Sequence, residues 1–295
     1  MLGPNGAGKT TTIKMLTTML GKTSGAAYVG GFDITTQPGD VRKNIGIVFQ
    51  DPSLDDKLTG RENLELHAML YKMGRDEQKR TIDEVIKFVE LEDKQHILIE
   101  NYSGGMKRRL EIGRGIIHEP AVLFLDEPTI GLDAQTRRKI WEYLKRLNKE
   151  KRITIVLTTH YIEEADALCD RVAFIDHGKI IKLGTPEALK HSIGGDVVSL
   201  EINGDANRAK RILKSVNGVK SIAVRAKSLD VSVENGEKHI AEIVTSISNN
   251  GIGVTAVNLH KPSLEDVFIK YTGKKIREEE GEGSKALMRT FARRG

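Results

Sequence analysis

The sequence has few of the features that mark secreted and membrane-embedded proteins. It contains one cysteine, Cys169, so an intrachain disulfide is excluded and a reducing compartment is expected. No apolar run approaches the roughly 18–20 residues that a membrane-spanning helix needs, and no signal-peptide pattern opens the chain. Cytoplasmic localisation is therefore predicted, and a position against a membrane partner remains compatible with it.

The balance of charge excludes a further class. The 46 basic and 41 acidic residues leave a net charge of +5, and aromatic residues make up only 5% of the chain. Nucleic-acid binding predicts a dense stripe of Lys and Arg with interleaved aromatic residues, which this sequence lacks. We therefore expect no nucleic-acid partner. The 295 residues suffice for one large domain or two modest ones.

Two continuous apolar runs indicate a parallel sheet. "AVLFLD" (121–126) and "ITIVLTTH" (153–160) are typical of strands buried on both faces. Ile140, Leu144 and Leu147 recur between them at helical spacing and predict a crossover helix. We assign residues 1–194 to this α/β domain. Other stretches predict helices at "KTTTIKMLTTML", "RENLELHAMLYKM" and "DEQKRTIDEVIKFVEL", strands at "AAYVGGFDI" and "NIGIVFQ", and two strands around a tight turn at "RVAFIDHGKIIKLG".

The chain changes character near the two glycines of "HSIGGD". Beyond them the patterns predict strand, helix, strand, strand, helix and strand over residues 197–259, which is the βαββαβ order of a ferredoxin-like unit. We place this small α+β domain at residues 195–272, with a last short helix at "SLEDVFIKYTG". The charged, glycine-containing tail, residues 273–295, is predicted to be disordered.

The first residues form a loop suited to phosphate. Gly3, Gly8, Lys9 and Thr10 spell G-x-x-x-x-G-K-T. In such a loop the glycines let backbone N–H groups turn toward a phosphate, and the following helix adds the positive end of its dipole. Lys9 would reach the β- and γ-phosphates of a nucleotide, and the Thr10 hydroxyl would bind Mg²⁺.

A pair of carboxylates follows the strand "AVLFL" directly. At the carboxyl end of a buried parallel strand, Asp126 and Glu127 would lie beside the phosphate loop. Asp126 would hold Mg²⁺ through water, and Glu127 would orient or deprotonate the attacking water. The alternative, a solvated acidic pair that caps a strand, is disfavoured because five apolar residues precede the pair.

A second anion site is predicted at "YSGGMKRRLEIGRG". Ser103, Gly104 and Gly105 begin a basic helix, whose free N–H groups attract an anion. One nucleotide has one terminal phosphate, so two such sites in one chain favour a head-to-tail dimer. Each chain's "SGG" would then close over the other chain's ATP. The alternative is an ordinary helix N-cap at Ser103.

Taken in order, these motifs resemble the ATP-binding subunits of ABC transporters over residues 1 to about 190. The family's Walker A loop, Q-loop glutamine, signature, Walker B strand, D-loop and switch histidine all find a match. By this resemblance Gln50 reports the γ-phosphate to a helical subdomain, and His160 contacts that phosphate. The resemblance assigns catalysis to Glu127, His160 and Gln50, and Mg²⁺ to Thr10, Gln50 and Asp126. It assigns ATP to Gly3, Pro4, Asn5, Gly6, Ala7, Gly8, Lys9, Thr10, Thr11, Ser103, Gly104, Gly105 and Asp133.

The C-terminal stretch "LHKPSLEDVFIKYTG" resembles the end of the daunorubicin-resistance subgroup of exporter ATPases, which carry a small extra domain. The implied fold is a P-loop ATPase cassette, with a parallel sheet core and a helical subdomain, followed by the ferredoxin-like domain. The implied function is an ATPase that dimerises around ATP and Mg²⁺ and powers drug, antibiotic or lipid export. Its partner would be an integral-membrane permease of the ABC-2 type, at the inner face of the cell membrane.

The sequence departs from the family within the signature. Tyr102 stands where the family usually has Leu, which is a tolerable change in an apolar contact. Gly113 and Gly115 lie where the family often has Ala. Because each Gly costs about 1 kcal/mol of helix stability, we expect a loose signature helix.

The largest departure is the start of the chain. The family places a strand and a β-subdomain before the Walker A loop, including an aromatic residue that stacks on adenine. Only Met1 and Leu2 precede the loop here, and we expect them to be unable to form that strand. The chain is then a fragment, or its start is assigned too late. The rival hypothesis is a short protein that binds ATP poorly.

Other functions of the same motifs remain as alternatives. A truncated, non-catalytic regulator is the main one. A chromosome-maintenance ATPase would need a long coiled-coil insertion between Walker A and the signature, whereas only residues 11–102 separate them. Soluble translation-associated ATPases carry two cassettes in one chain, whereas this chain has one, which disfavours that class. The transported substrate is not encoded here, because the permease selects it.

Overall fold

A computed structural model of the chain describes residues 1–192, 194–225 and 228–272. The tail that we predict to be disordered, residues 273–295, lies outside these residues. The chain divides into two compact units, between Ile181 and Lys182. The domain boundary that we place at residue 194 remains a prediction.

The described residues form a mixed set of strands and helices. The strands are β1 (Tyr28–Val29), β2 (Phe32–Asp33), β3 (Ile45–Val48), β4 (Val122–Asp126), β5 (Thr154–Thr158), β6 (Val172–Asp176), β7 (Lys179–Gly184), β8 (Asp196–Asn203), β9 (Val219–Arg225), β10 (Ser228–Val233) and β11 (Gly253–His260). The α-helices are α1 (Lys9–Leu16), α2 (Pro38–Asn44), α3 (Gly60–Leu70), α4 (Arg75–Phe88), α5 (Gly104–Ile116), α6 (Ala134–Lys151), α7 (Ile162–Leu168), α8 (Pro186–His191), α9 (Ala206–Leu213), α10 (Gly236–Ser248) and α11 (Leu264–Thr272), with 3-10 turns at Glu92–Lys94 and Ile99–Asn101. Within these described ranges, no helix is both long and apolar enough to cross a membrane.

The predicted parallel sheet forms the centre of the first unit. Strands β3, β4 and β5 lie in that order, and each neighbouring pair is parallel. Leu123, Phe124 and Leu125 of β4 are almost fully buried, as a strand covered on both faces requires. The crossover helix between β4 and β5 is α6, and its buried face includes the predicted Ile140, Leu144 and Leu147. Since the three strands are parallel, their carboxyl ends meet at one edge.

Two elements of the first unit are shorter than we expect from the sequence. Helix α1 ends at Leu16, four residues before the predicted Leu20. The stretch "AAYVGGFDI" forms two short antiparallel strands, β1 and β2, instead of one strand. The reason lies in Gly30 and Gly31, whose φ angles of 60° and 89° turn the chain between them.

The signature helix α5 packs closely against its neighbours, which corrects the expectation of a loose helix. A Cβ atom at Gly113 would lie 2.8 Å from Val89 and 2.9 Å from Val85, both at the end of α4. The glycine therefore lets α4 and α5 approach. Tyr102, just before the helix, is buried, and its hydroxyl donates to the Lys94 carbonyl at 2.8 Å.

The second unit has the predicted βαββαβ order. Its four-stranded antiparallel sheet has the order β11-β8-β10-β9, which is the ferredoxin-like arrangement. Alternate residues of β8 and β10 are buried against α9 and α10, as in Val198, Leu200, Leu229 and Val231. The unit thus has a hydrophobic core of its own.

Candidate nucleotide site

Met1 and Leu2 supply the backbone that precedes the phosphate loop. Leu2 forms parallel bridges to Thr159, just after β5, and to Phe174 in β6. Its carbonyl accepts from the N–H of Ile175 at 2.9 Å, and its side chain is fully buried. This corrects the expectation that residues 1–2 cannot form the strand. These two residues suffice to anchor the loop because Leu2 pairs with the chain after β5 on one side and with β6 on the other.

The phosphate loop runs from this segment into α1. Gly8 is the N-cap residue of the helix and has a φ of 98°, a conformation that side chains other than glycine rarely adopt. Asn5 and Gly6 are exposed at the tip of the loop, and Thr10 is half-buried in the first turn of α1. The N–H groups of the first turn and the exposed tip fit an anion-binding loop.

The Lys9 side chain is folded back into the loop. Its Nζ atom donates to the carbonyl oxygens of Gly3 at 2.8 Å and Pro4 at 3.1 Å. It also forms an ion pair with the Glu127 carboxylate at 3.0 Å. Both charged side chains are about 95% buried. The structure therefore brings together the predicted phosphate-binding cation and the predicted base.

The Glu127 carboxylate is held from two sides. One oxygen faces Lys9, and the other lies 2.6 Å from Nδ1 of His160, two residues after the end of β5. Burial raises the pKa of Glu127, but the hydrogen bond from His160 and the charge of Lys9 outweigh it, so that the pKa is lowered overall. Glu127 is therefore ionised at neutral pH.

The backbone at the Walker B turn is unusual. Glu127 has a φ of 48°, in the left-handed region. Its N–H donates to the carbonyl and the hydroxyl of Thr158, at 3.2 and 3.0 Å. The same Thr158 hydroxyl donates to Oδ1 of Asp126 at 2.5 Å. Thr158, which our sequence reasoning missed, thus holds the Asp126 carboxylate and the backbone N–H of Glu127. The one sequence signal for Thr158 was its position as a polar residue at the end of a buried strand, β5, that neighbours β4.

The sheet edge places the remaining predicted residues as follows. Gln50 lies two residues beyond β3, at the same edge as Asp126 and Glu127, and is exposed. Thr10, Gln50 and Asp126 offer the oxygen ligands that Mg²⁺ prefers. In the described ranges, no cluster of three or more His, Cys, Asp or Glu side chains suits a metal on its own.

The signature and the D-loop aspartate cap helices of their own. Ser103 caps α5 by accepting from the N–H of Met106 at 3.3 Å, and both Ser103 and Gly104 are exposed. Asp133 likewise caps α6 by accepting from the N–H groups of Gln135 and Thr136. The hydrogen bond from the Thr136 hydroxyl, followed by these backbone bonds, lowers the pKa of Asp133. Among the hydrogen bonds of residues 1–192, none joins these caps to the phosphate loop.

Buried charges behind the site were also missed by our sequence reasoning. Arg108 and Glu111 of α5 are paired at 3.0 Å and almost fully buried. Glu164 of α7 is fully buried and accepts from the Thr129 hydroxyl and the Trp141 ring at 2.8 and 2.9 Å. Because these residues are charged, the sequence alone suggested that they lie on solvent-exposed helix faces. The i, i+3 spacing of Arg108 and Glu111 was the one available signal.

These features define a P-loop ATPase of the ABC type, and comparison with known proteins agrees. Residues 1–130 match the family described as ABC transporter, and residues 184–272 match the C-terminal domain of DrrA1-3-like ATP-binding proteins. The chain is 36% identical over 281 residues to the linearmycin resistance ATP-binding protein LnrL of Bacillus subtilis, covering 94% of this chain and 90% of that protein. It is 39% identical to the daunorubicin/doxorubicin resistance ATP-binding protein DrrA of Streptomyces peucetius, covering 92% and 83%.

A solved structure supports the same assignment. The ATP-binding cassette MJ0796, in a dimeric post-hydrolysis state bound to ADP and Pi, is 30% identical, with a TM-score of 0.56 over 62% of this chain and 83% of that one. The chain therefore belongs to the ATP-binding proteins of ABC transporters. It is an ATPase subunit, with the DrrA-like C-terminal domain that the sequence resemblance predicts.

Proposed function

We propose that this chain hydrolyses MgATP through Lys9, Glu127 and His160, and that it powers an exporter. The observation that carries the proposal is the contact of one buried carboxylate with both Lys9, at 3.0 Å, and His160, at 2.6 Å. An ionised carboxylate at the end of a buried strand can accept a proton from water. A lysine in a phosphate loop and a histidine across from it can hold the phosphate that this water attacks.

Binding of the γ-phosphate would rearrange these contacts. Lys9 and His160 both contact Glu127, and both are the proposed ligands of the phosphate. When the phosphate takes up these donors, Glu127 loses two partners and becomes free to orient water. Asp126, Thr10 and Gln50 have the oxygen donors to hold Mg²⁺. The ion, when bound, neutralises charge that develops on the phosphates.

The catalytic site is proposed to be shared between two copies of the chain. Ser103 and Gly104 are exposed at the start of α5. In the phosphate loop of the same chain, Lys9 contacts the Gly3 carbonyl and the Glu127 carboxylate, and not the signature. A second copy can bring its "SGG" segment over the nucleotide, which would place Asp133 near the interface. The similar cassette MJ0796 is described as dimeric, with ADP and Pi bound, which supports this arrangement.

The partner of the dimer is proposed to be a membrane permease of the ABC-2 type. The relatives named above confer resistance to linearmycin and to daunorubicin and doxorubicin. Resistance that depends on an ATP-binding subunit of a transporter favours export of a drug-like or lipid-like substrate. We accordingly place the chain at the cytoplasmic face of the membrane.

The proposal is tested by phosphate release from ATP with the purified chain, alone and with its permease in liposomes. Lys9→Ala should weaken ATP binding itself, because the ammonium meets the phosphates in the ground state. Lys14→Ala, on the exposed part of α1, is the matched control. Unchanged ATP affinity of Lys9→Ala by calorimetry would show that the loop is not the phosphate site.

A further inference from the structure

Arg108 is a buried arginine on the signature helix with an unusual set of partners. Only 6% of the residue is exposed. Its side chain donates to the carbonyl oxygens of Phe49 at 2.7 Å and Pro128 at 2.6 Å, and to those of Asp126 and Glu127 at 3.3 Å each. One guanidinium thus grips two separate segments of the chain.

Both segments carry residues of the proposed catalytic site. Phe49 directly precedes Gln50, and its carbonyl is the last one before that side chain. The other three carbonyls span the Walker B turn, at whose centre lies Glu127 with its left-handed φ of 48°. Thr158 holds the N–H side of this turn, and Arg108 holds its carbonyl side. The direction of the Glu127 carboxylate depends on that turn.

Glu111 completes the connection, one helical turn after Arg108. Its Oε2 atom accepts from Arg108 at 3.0 Å, and its Oε1 atom accepts from the N–H of Ser53 at 2.9 Å. Arg114, one further turn along, donates to the Ser53 carbonyl at 2.6 Å. The segment from Phe49 to Ser53 is therefore fastened at both ends to one face of α5. The buried charge of Arg108 is neutralised by the buried carboxylate.

We infer that Arg108, held by Glu111, is a positioning residue that sets Glu127 and Gln50 relative to the signature helix. The inference rests on the proposed roles of those two residues. Arginine is required because its planar fork offers five donors in fixed directions, whereas a lysine ammonium is a single point. No substrate contact of Arg108 itself is involved.

The first test measures backbone order without using turnover. Amide hydrogen exchange is followed on the full chain in Arg108→Lys and in the matched control Arg109→Lys. Arg109 is the next residue and donates to the carbonyl oxygens of Val89 and Glu90, away from the site. We expect exchange at the Ser53 and Glu127 amides to rise about 10-fold or more in Arg108→Lys only. Unchanged exchange at both amides would overturn the inference.

The second test separates positioning from a general structural role. Arg108→Lys should lower kcat by about 10- to 100-fold while ATP affinity stays within about twofold. In a Glu127→Gln background the same substitution should lower the residual single-turnover rate by a clearly smaller factor, because the part of the effect that runs through Glu127 is already lost and only the part through Gln50 remains. An equal fold-loss in both backgrounds would show that Arg108 does not act through Glu127 and would refute the inference for that residue.

A second variant guards against misfolding of Arg108→Lys. Glu111→Gln keeps the shape of the side chain but removes the charge that holds Arg108, so exchange and kcat should change in the same direction by less. Wild-type amide exchange and kcat in Glu111→Gln would contradict the inference that Glu111 holds Arg108 in place. Turnover that survives Glu127→Gln would refute the proposed function of Glu127, while the exchange result for Arg108 would still stand.

Discussion

Replacing Glu127 by Gln removes one charge at the centre of the proposed site and keeps its shape. Without nucleotide, Lys9 then loses its ion pair but retains the carbonyl oxygens of Gly3 and Pro4. Removing one partner of a buried ion pair outright costs about 3–5 kcal/mol. Because Gln still accepts a hydrogen bond, we expect a loss of about 1–3 kcal/mol in the free energy of unfolding.

Thermal unfolding with and without ATP measures this loss. A change of 1 kcal/mol shifts the Tm of a domain of this size by about 2–4 °C. ATP at about 100 times its Kd stabilises the folded state by about 2.7 kcal/mol. Since phosphates can replace the missing carboxylate at Lys9, ATP should raise the Tm more in Glu127→Gln than in the wild type. Turnover should fall by about 10²- to 10⁴-fold while ATP still binds.

The pH dependence of the same variant gives a further check. Burial raises the pKa of Glu127, but His160 and Lys9 lower it below the unfolded value of 4.5. A lowered folded pKa means that the stabilisation is present above pH 4.5 and is lost as the pH falls through the folded pKa. The Tm difference between wild type and variant should therefore close at acid pH. Glu163→Gln, at an exposed carboxylate of α7, is the control.

Two results would refute this reasoning. Wild-type turnover in Glu127→Gln would show that the carboxylate is not the base. A Tm difference that stays constant from neutral to acid pH would show that the ion pair with Lys9 does not stabilise the fold.

Two further predictions concern the signature. Ser103→Arg should leave the ATP affinity of the monomer nearly intact but block hydrolysis. Mixing it with Lys9→Ala chains should restore some activity, because both lesions then fall on one composite site and the other site is wild type. Loss of ATP affinity in the Ser103→Arg monomer, measured by calorimetry, would contradict this prediction. Gly113→Ala should lower the Tm, because overpacking against Val89 at 2.8 Å costs about 1–3 kcal/mol and exceeds the roughly 1 kcal/mol gained in helix propensity; a raised Tm would show that α4 gives way.

The elements that the sequence predicts well are those whose signal is local. The phosphate loop is a contiguous motif, and Lys9 lies where such a loop requires it. Strands β4 and β5 are continuous apolar runs, and α6 shows its buried face through spacing alone. The carboxylates could be placed at this edge because they follow such a strand, whereas His160 was assigned to the site by the family resemblance.

What the sequence does not predict depends on contacts between distant segments. Leu2 is a strand residue only because Thr159 and Phe174 lie on either side of it. Gly113 reads as a weak point of a helix until α4 is seen against it. Arginine is a residue type that usually lies at the surface, and the burial of Arg108 is explained by its four carbonyl partners. Charge alone gives no sign of such contacts.

The arrangement of the signature helix has a consequence for the proposed dimer. Its exposed N-cap residue, Ser103, would serve the partner's nucleotide. Arg108, little more than one turn later, holds the turn at Glu127, which would serve the chain's own nucleotide. In that dimer, the 13-residue helix α5 would connect two different sites through each chain. Any shift of α5 on dimer closure would act on Glu127 through the same guanidinium. Coupling between the two sites would then need no contact beyond those already made by α5.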